Sequence, residues 1–313
     1  MQLEIALKIL PVIVMIGLGA ALRAFGFLSL ETSAGFKKTA IDLTLPIVIF
    51  LSLLEMDFKL EYMLMPVMVF VITGLLLFAG MGIKKLLKVN NPYFPALFTS
   101  FENGMIGYGV IAVMFGQDNI FPIVLMDMGQ TIFFALIFVS YMKALNSGKR
   151  QKAGELVMSF LKNPYVWAST SGVLLNVTGA AGFLKNISMF NMLLETAGLL
   201  GGLTTPMMCL VIGCEMKIDA RNLKKPLAVA IGRLALLLVS AFLFSMLVDA
   251  LWPGLDSIFR VSIYAMFMLP PFFVGAVLIK EDAVEEKRLA LNVTSINILL
   301  FLLLFPPLAA YLT

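Results

Sequence analysis

Long apolar runs separated by short polar clusters recur along the whole chain. Each is about as long as a helix needs to cross a hydrocarbon core, ~20 residues at ~1.5 Å rise per residue. The pattern predicts ten spans, at roughly 4–25, 37–55, 62–86, 92–115, 119–143, 163–183, 192–215, 226–251, 257–280 and 286–312. The first run continues past signal-peptide length with no small-residue cleavage signature and is expected to be retained as a span. The expected fold class is an all-α, polytopic membrane protein.

Composition supports that reading, with 60% hydrophobic and 13% charged residues and a mean hydropathy of +0.98. A soluble domain has about half and a quarter respectively, and could not bury so much apolar surface. Placed on the ten spans, the basic residues fall unevenly: 18 of the 23 Lys and Arg lie at one set of loops, four (Lys8, Lys59, Lys185, Arg260) at the other, and Arg233 inside a span. The positive-inside rule then puts both termini outside the cell membrane. The net charge of +4 belongs to those inner loops and does not mark a nucleic-acid surface.

The chain has no histidine, which removes His-dependent catalytic triads, His metal clusters and His proton relays together. Cys209 and Cys214 share one apolar run and read as packed thiols. No GxxxxGK[ST] loop is present, so direct ATP drive is not expected, and no cofactor is implied.

An internal repeat gives the spans an order. LTLPIVIFLSLLEM (Leu43 to Met56) and LTTPMMCLVIGCEM (Leu203 to Met216) match at an offset of 160 in Leu, Thr, Pro, Glu and Met. Pro66 matches Pro226, and with a small gap Gly26, Phe27 and Leu28 match Gly182, Phe183 and Leu184. Five spans per unit make the second copy upside down, as in many secondary transporters. The expected division is residues 1–143 as the first five-helix repeat, 144–162 as a cytoplasmic linker, and 163–313 as the second, inverted repeat.

Two spans carry helix breakers near the middle. The fourth has Glu102, Asn103, Gly104 and Gly107 about 15 Å from its start; the ninth has Pro270 and Pro271 at similar depth. Unwound backbone survives there only where protein buries it or water reaches it, so a pair of breaks in matching repeat positions points to a central binding site. Taken singly, each break would more simply be a kink. Half-helix N-termini after Gly104 and Pro271 are expected to aim free N–H groups at the centre and favour an anionic substrate, with the opposing C-terminal ends favouring a cation.

Polar residues on spans five and ten fall at the same depth. Asp127 lies about 12 Å into span five, with Gln130 and Thr131 roughly one turn deeper, and Asn292, Thr294, Ser295 and Asn297 are their counterparts. A carboxylate there could take up a proton, ligate sodium, or simply bond a neighbouring helix. For Glu102 the plainer alternative is a neutral carboxyl beside the break. Asp42 is expected to pair with Lys37 or Lys38, one turn away. Arg233 either snorkels to the inner surface or, as the only deep basic residue, holds an anion.

The segments LTLPIVIF, ENGMIGYGV and TTPMMCLVIG, together with the proline-broken ninth span, resemble the auxin efflux carrier family over nearly the whole chain. The resemblance implies a fold shared with PIN-type auxin carriers and bile-acid sodium symporters, in which broken spans four and nine cross. Spans one, two, six and seven would form a scaffold, often dimeric, and spans three to five and eight to ten a transport domain moving as an elevator. Asn103 and Pro270 map to the crossover. The implied function is secondary transport of a small organic anion, such as a carboxylate or an auxin-like acid, with proton or sodium coupling; by analogy, sodium would sit at Glu102, Asn103 and Gln130. The candidate substrate or ion residues are therefore Glu102, Asn103, Gly104, Asp127, Gln130, Pro270, Pro271, Asn292 and Ser295. A passive channel or an intramembrane aspartyl enzyme are the alternatives; for the enzyme, Asp127 lacks an evident second aspartate.

Overall fold

A computed structural model describes residues 2–56, 59–147, 153–216 and 223–313; Lys149, Arg150, Lys152, Lys217 and Arg221 of the charge pattern, and part of the 144–162 linker, lie outside them. The regular elements of the described residues are all helices, with no β-strand among them. Among the described residues, seven helices are long and apolar enough to cross a membrane: α1 (Leu3–Ala24), α4 (Leu60–Leu86), α6 (Phe121–Asn146), the pair α10 and α11 (Ser188–Glu215), α12 (Lys224–Leu251), the segment Ser257–Val277, and α15 (Val284–Leu312). Large apolar side chains face outward on them, such as Phe78 at 69% and Leu303 at 70% exposure. That surface suits lipid and would be a liability in water. The chain is a multi-pass membrane protein.

The other three predicted spans are helical but not single apolar rods. Segment 37–55 lies in α2 (Leu30–Thr39), a π-turn (Ala40–Thr44) and α3 (Leu45–Glu55), and carries Lys37, Lys38, Asp42 and Glu55. Segment 92–115 is a 3₁₀ turn (Phe94–Phe98), then a π-turn (Asn103–Gly107) leading into α5 (Tyr108–Phe115). Segment 163–183 divides into α8 (Pro164–Val177) and α9 (Ala180–Leu184), preceded by α7 (Ala153–Leu161). Ser188–Glu215 turns at Leu203 between α10 (Ser188–Gly202) and α11 (Thr204–Glu215). Ser257–Val277 opens between α13 (Ser257–Met268) and α14 (Phe273–Val277).

Glycines let helices meet backbone to backbone, the packing by which apolar helices associate in lipid. A Cβ on Gly19 of α1 would lie 2.3 Å from the Leu210 carbonyl oxygen of α11, and one on Gly213 only 2.0 Å from that of Ile16. In α8, a Cβ on Gly172 would stand 2.9 Å from the Phe50 carbonyl oxygen of α3. Phe50 and Leu210 are spaced like the matched residues of the repeat. So are Thr44 and Thr204, whose hydroxyls bond each other at 2.7 Å across 160 residues. Glu55 and Glu215, another matched pair, meet Lys185 at 3.2 Å and Lys37 at 2.8 Å. Lys37 thus reaches across to α11 rather than along its own helix to Asp42, because the end of α11 brings a carboxylate closer than one turn of α2 does. Cys209 and Cys214 are buried, unpaired thiols.

Candidate functional site

The two broken segments lie against each other. Residues 99–102 leave the helix after the 3₁₀ turn, and α13 ends at Leu269, after which the chain runs extended through Pro270 and Pro271 to Phe272. The prolines have no N–H to orphan, which makes this stretch tolerable in the interior. Across the crossing, the Glu102 N–H donates to the Pro270 carbonyl at 3.1 Å, and the Phe272 N–H to Ser100 Oγ at 3.2 Å. The Phe273 N–H donates to Glu102 Oε2 at 2.8 Å. The N–H groups after Pro271, expected to be open to a substrate, are therefore capped by Ser100 and Glu102 because the neighbouring strand of backbone delivers those side chains to them.

Gln130 closes the other side of the break. Its amide accepts from the Phe101 N–H at 3.1 Å and donates to the Phe101 carbonyl at 2.7 Å, pairing both main-chain groups of a fully buried residue. The same Nε2 lies 3.2 Å from Asp127 Oδ1. Asp127 Oδ1 also accepts from Asn103 Nδ2 at 2.7 Å, and Oδ2 accepts from the Tyr108 hydroxyl at 2.6 Å. The (i, i+3) spacing of Asp127 and Gln130 puts them on one face of α6, and the π-turn carries Asn103 and Tyr108 to it. Asn103 Oδ1 is buried with no partner among the described residues.

Arg233, on α12, is completely buried and neither snorkels nor stands open to an anion. Its guanidinium donates to the carbonyls of Leu97 at 2.6 Å, Leu269 at 2.8 Å and Ser100 at 3.0 Å, and to Asn297 Oδ1 at 3.4 Å. Carbonyls left over at the two breaks consume its donors.

Glu102, Asn103, Asp127, Gln130 and Pro270 are thus joined in one bonded cluster, with Pro271 next in the chain. Gly104 faces outward from it: a Cβ there would lie 2.7 Å from Leu45 Cδ2 and 3.6 Å from the Tyr165 hydroxyl. Asn292 and Ser295 are buried on α15, where Asn297 is the residue that reaches Arg233. Asn297, noted in the sequence among the polar residues at this depth, joins through Arg233; Tyr108 and Ser100 belong without having been singled out, and Tyr108, five residues beyond Asn103 in a glycine-rich break, is the one a sequence signal could have flagged.

Beside Asp127 lies a cavity of 130 Å³ between α3, α5, α6 and α8, lined by Ile49, Tyr108, Asp127, Thr131, Tyr165, Ser169 and Thr170 among others. Its volume is that of about four liquid waters, and hydroxyls dominate its polar lining. A larger cavity, 590 Å³, borders α3 one turn further on, at Val48, Ser52, Glu55, Gln117, Asp118 and Gly201. No group of three or more His, Cys, Asp and Glu able to hold a metal ion occurs among the described residues. Of the side chains expected to ligate sodium, Glu102 Oε2 and Gln130 Oε1 are engaged by backbone N–H groups, and Asn103 Oδ1 is without a partner.

No family model matches this chain. Over 217 residues it is 23% identical to an uncharacterized transporter of Methanothermobacter thermautotrophicus, an alignment covering 66% of this chain and 67% of that protein. With its apolar helices and a buried polar cluster, the chain fits a membrane transporter.

Proposed function

We propose that this chain is a secondary active transporter of the auxin efflux carrier type, moving a small organic anion such as a carboxylate across the cell membrane, with Asp127 as the proton-carrying group. The observation that carries the reading is the crossing of two unwound segments, bonded to each other and to an Asp127 cluster that opens on a small hydroxyl-lined cavity. Crossed broken helices support the reading of a binding site at the middle of the bilayer. The hydroxyls of Tyr165 and Thr170 are suitable donors to a carboxylate, those of Tyr108 and Ser169 being donated to Asp127 Oδ2 and the Val166 carbonyl. An ionised Asp127 in the same cavity would repel it strongly at low dielectric, so anion entry requires a proton on Asp127, and that requirement is the coupling.

The reading includes ten spans in two inverted halves, with the segments of residues 37–55, 92–115 and 163–183 crossing as interrupted or charge-bearing helices. It is supported by the Thr44–Thr204 bond and by the equivalent placing of Phe50 and Leu210 against glycines. Spans one, two, six and seven form the scaffold, which can dimerise, and the remaining spans form the moving unit, with both termini outside.

The test is uptake of labelled small carboxylates into proteoliposomes under imposed proton or sodium gradients, for wild type, Asp127→Asn and Asn103→Ala. Proton-driven uptake that falls at least tenfold in Asp127→Asn is expected. Undiminished, gradient-driven uptake by Asp127→Asn would remove Asp127 from the coupling. Absence of any carboxylate uptake would remove the anion.

A further inference from the structure

We infer that Arg233 is a tethered cation that occupies the oxygen cage at the crossing, so that this chain uses no alkali-metal ion there. The ends of broken helices leave carbonyls without partners, carrying partial negative charge, and in the membrane interior no water is at hand to satisfy them. Here Leu97 O and Ser100 O from one break and Leu269 O from the other point at one place, with Asn297 Oδ1 beside them. Four neutral oxygens from three segments are the donor set that takes an alkali ion from its hydration shell when the centre is open.

In this chain the centre is filled. Arg233 enters from α12, a fourth segment, and its Nε, Nη1 and Nη2 each meet one of the three carbonyls. Phe101 covers it, with the ring centroid 5.9 Å from Cζ. None of the ion pairs formed among the described residues includes Arg233. Its charge is balanced by main-chain dipoles, as a bound ion's would be, and guanidinium does not give up its proton in a protein. A lysine could offer only one point of charge, whereas the planar fork matches three carbonyls in three directions.

A covalently attached cation cannot be released on either side of the membrane, so the charge in the cage stays constant through a transport cycle. Sodium does not fit the cage that Arg233 fills; the side chains of the bile-acid symporter analogy, Glu102, Asn103 and Gln130, are a separate set beside it. The constancy through a cycle rests on the transport reading above; the occupancy of the cage does not.

The experiment is therefore thermal stability of the purified full chain in detergent, titrated with NaCl, KCl or N-methylglucamine chloride at constant ionic strength, for wild type, Arg233→Gln and Arg233→Lys. Wild type and Arg233→Lys are expected to melt at the same temperature in all three salts. Arg233→Gln is expected to melt lower and to recover about 3 °C, saturably, with sodium or potassium, as a ligand at roughly ten times its Kd would give. A saturable sodium-specific rise in wild type that persists in Asn103→Ala overturns the inference even if Arg233→Gln does not fold. So does an Arg233→Gln protein that folds and is indifferent to the cation. Absence of carboxylate uptake, by contrast, would sink the transport reading and leave this result standing.

Discussion

Replacing Gln130 with leucine keeps the size of the side chain and removes every bond it makes. The Phe101 N–H, now 3.1 Å from Gln130 Oε1, and the Phe101 carbonyl, 2.7 Å from Nε2, would both lose their partner in a residue with no exposed surface. Each buried main-chain group so stranded costs about 1–3 kcal/mol. Asp127 would lose one of its three donors, the longest at 3.2 Å, and keep Asn103 and Tyr108. The sum is on the order of 3–5 kcal/mol, which at roughly 2 °C per kcal/mol for a chain of this size lowers Tm by about 6–10 °C. The assay is melting of detergent-purified Gln130→Leu beside Thr131→Val, a change at the cavity wall rather than at the break, which is expected to stay within about 2 °C of wild type. If Gln130→Leu melts with wild type, the unwound backbone is not held by Gln130 and the bonding scheme of the crossing is wrong.

Three further outcomes are expected. Tyr108→Phe deletes the 2.6 Å bond to Asp127 Oδ2, a charge-assisted contact of about 1.5–3 kcal/mol, and should cut proteoliposome uptake roughly 10- to 100-fold; adding it to Asp127→Asn should cost little more, since both changes remove one interaction. Gly129→Ala would set a Cβ 1.9 Å from the Pro66 carbonyl oxygen and must push α4 from α6, at about 1–3 kcal/mol or more, whereas Gly232→Ala, with nothing within 4 Å, should be neutral or slightly stabilising; melting temperatures separate the two. The Lys37–Glu215 pair is about one-fifth exposed at both ends, so Lys37→Ala should cost no more than about 1 kcal/mol, and the exchange Lys37→Glu with Glu215→Lys should recover what either reversal loses, which a double-mutant cycle reads directly.

The positions of the breaks were legible because the residues that make them act locally: Pro270 and Pro271 lack the donors a helix needs, and the glycines around Asn103 weaken one wherever they stand. Asp127 and Gln130 were legible for a similar reason, since a spacing of three on an apolar helix puts two polar groups on one face and leaves them no solvent. Arg233 was not, because its partners come from residues 97, 100, 269 and 297, and nothing near position 233 tells a buried carbonyl cage from a path to the interface. Lys37 failed in the same way: Asp42 is its neighbour in sequence, but the close seating of α11 on α1, permitted by Gly19 and Gly213, brings the end of α11 and its Glu215 into reach. The capping of Phe272 and Phe273 needed the relative placing of two distant segments, which periodicity does not carry.

The direction of the bonds at the crossing bears on what can move. Glu102, Ser100 and Gln130 tie the break at residues 99–107 to the one at 269–273 and to α6, and Arg233 adds α12 and α15, so displacing any one of these segments alone would strand several buried polar groups at once. The contacts that Gly104 and Gly109 make outward are of another kind. A Cβ on Gly104 would lie 2.7 Å from Leu45 Cδ2 and 3.6 Å from the Tyr165 hydroxyl, and one on Gly109 2.8 Å from Thr205 Cγ2 and 3.1 Å from its Oγ1, so these glycines allow close approach without taking part in the bonded crossing. Cooperative bonding thus holds one group of segments together, and small-residue packing meets it at Leu45 and Thr205. The cavity beside Asp127 lies at the edge of that bonded group, so that, on the proposed function, a carboxylate entering it would exchange its water for hydroxyls without dismantling the crossing.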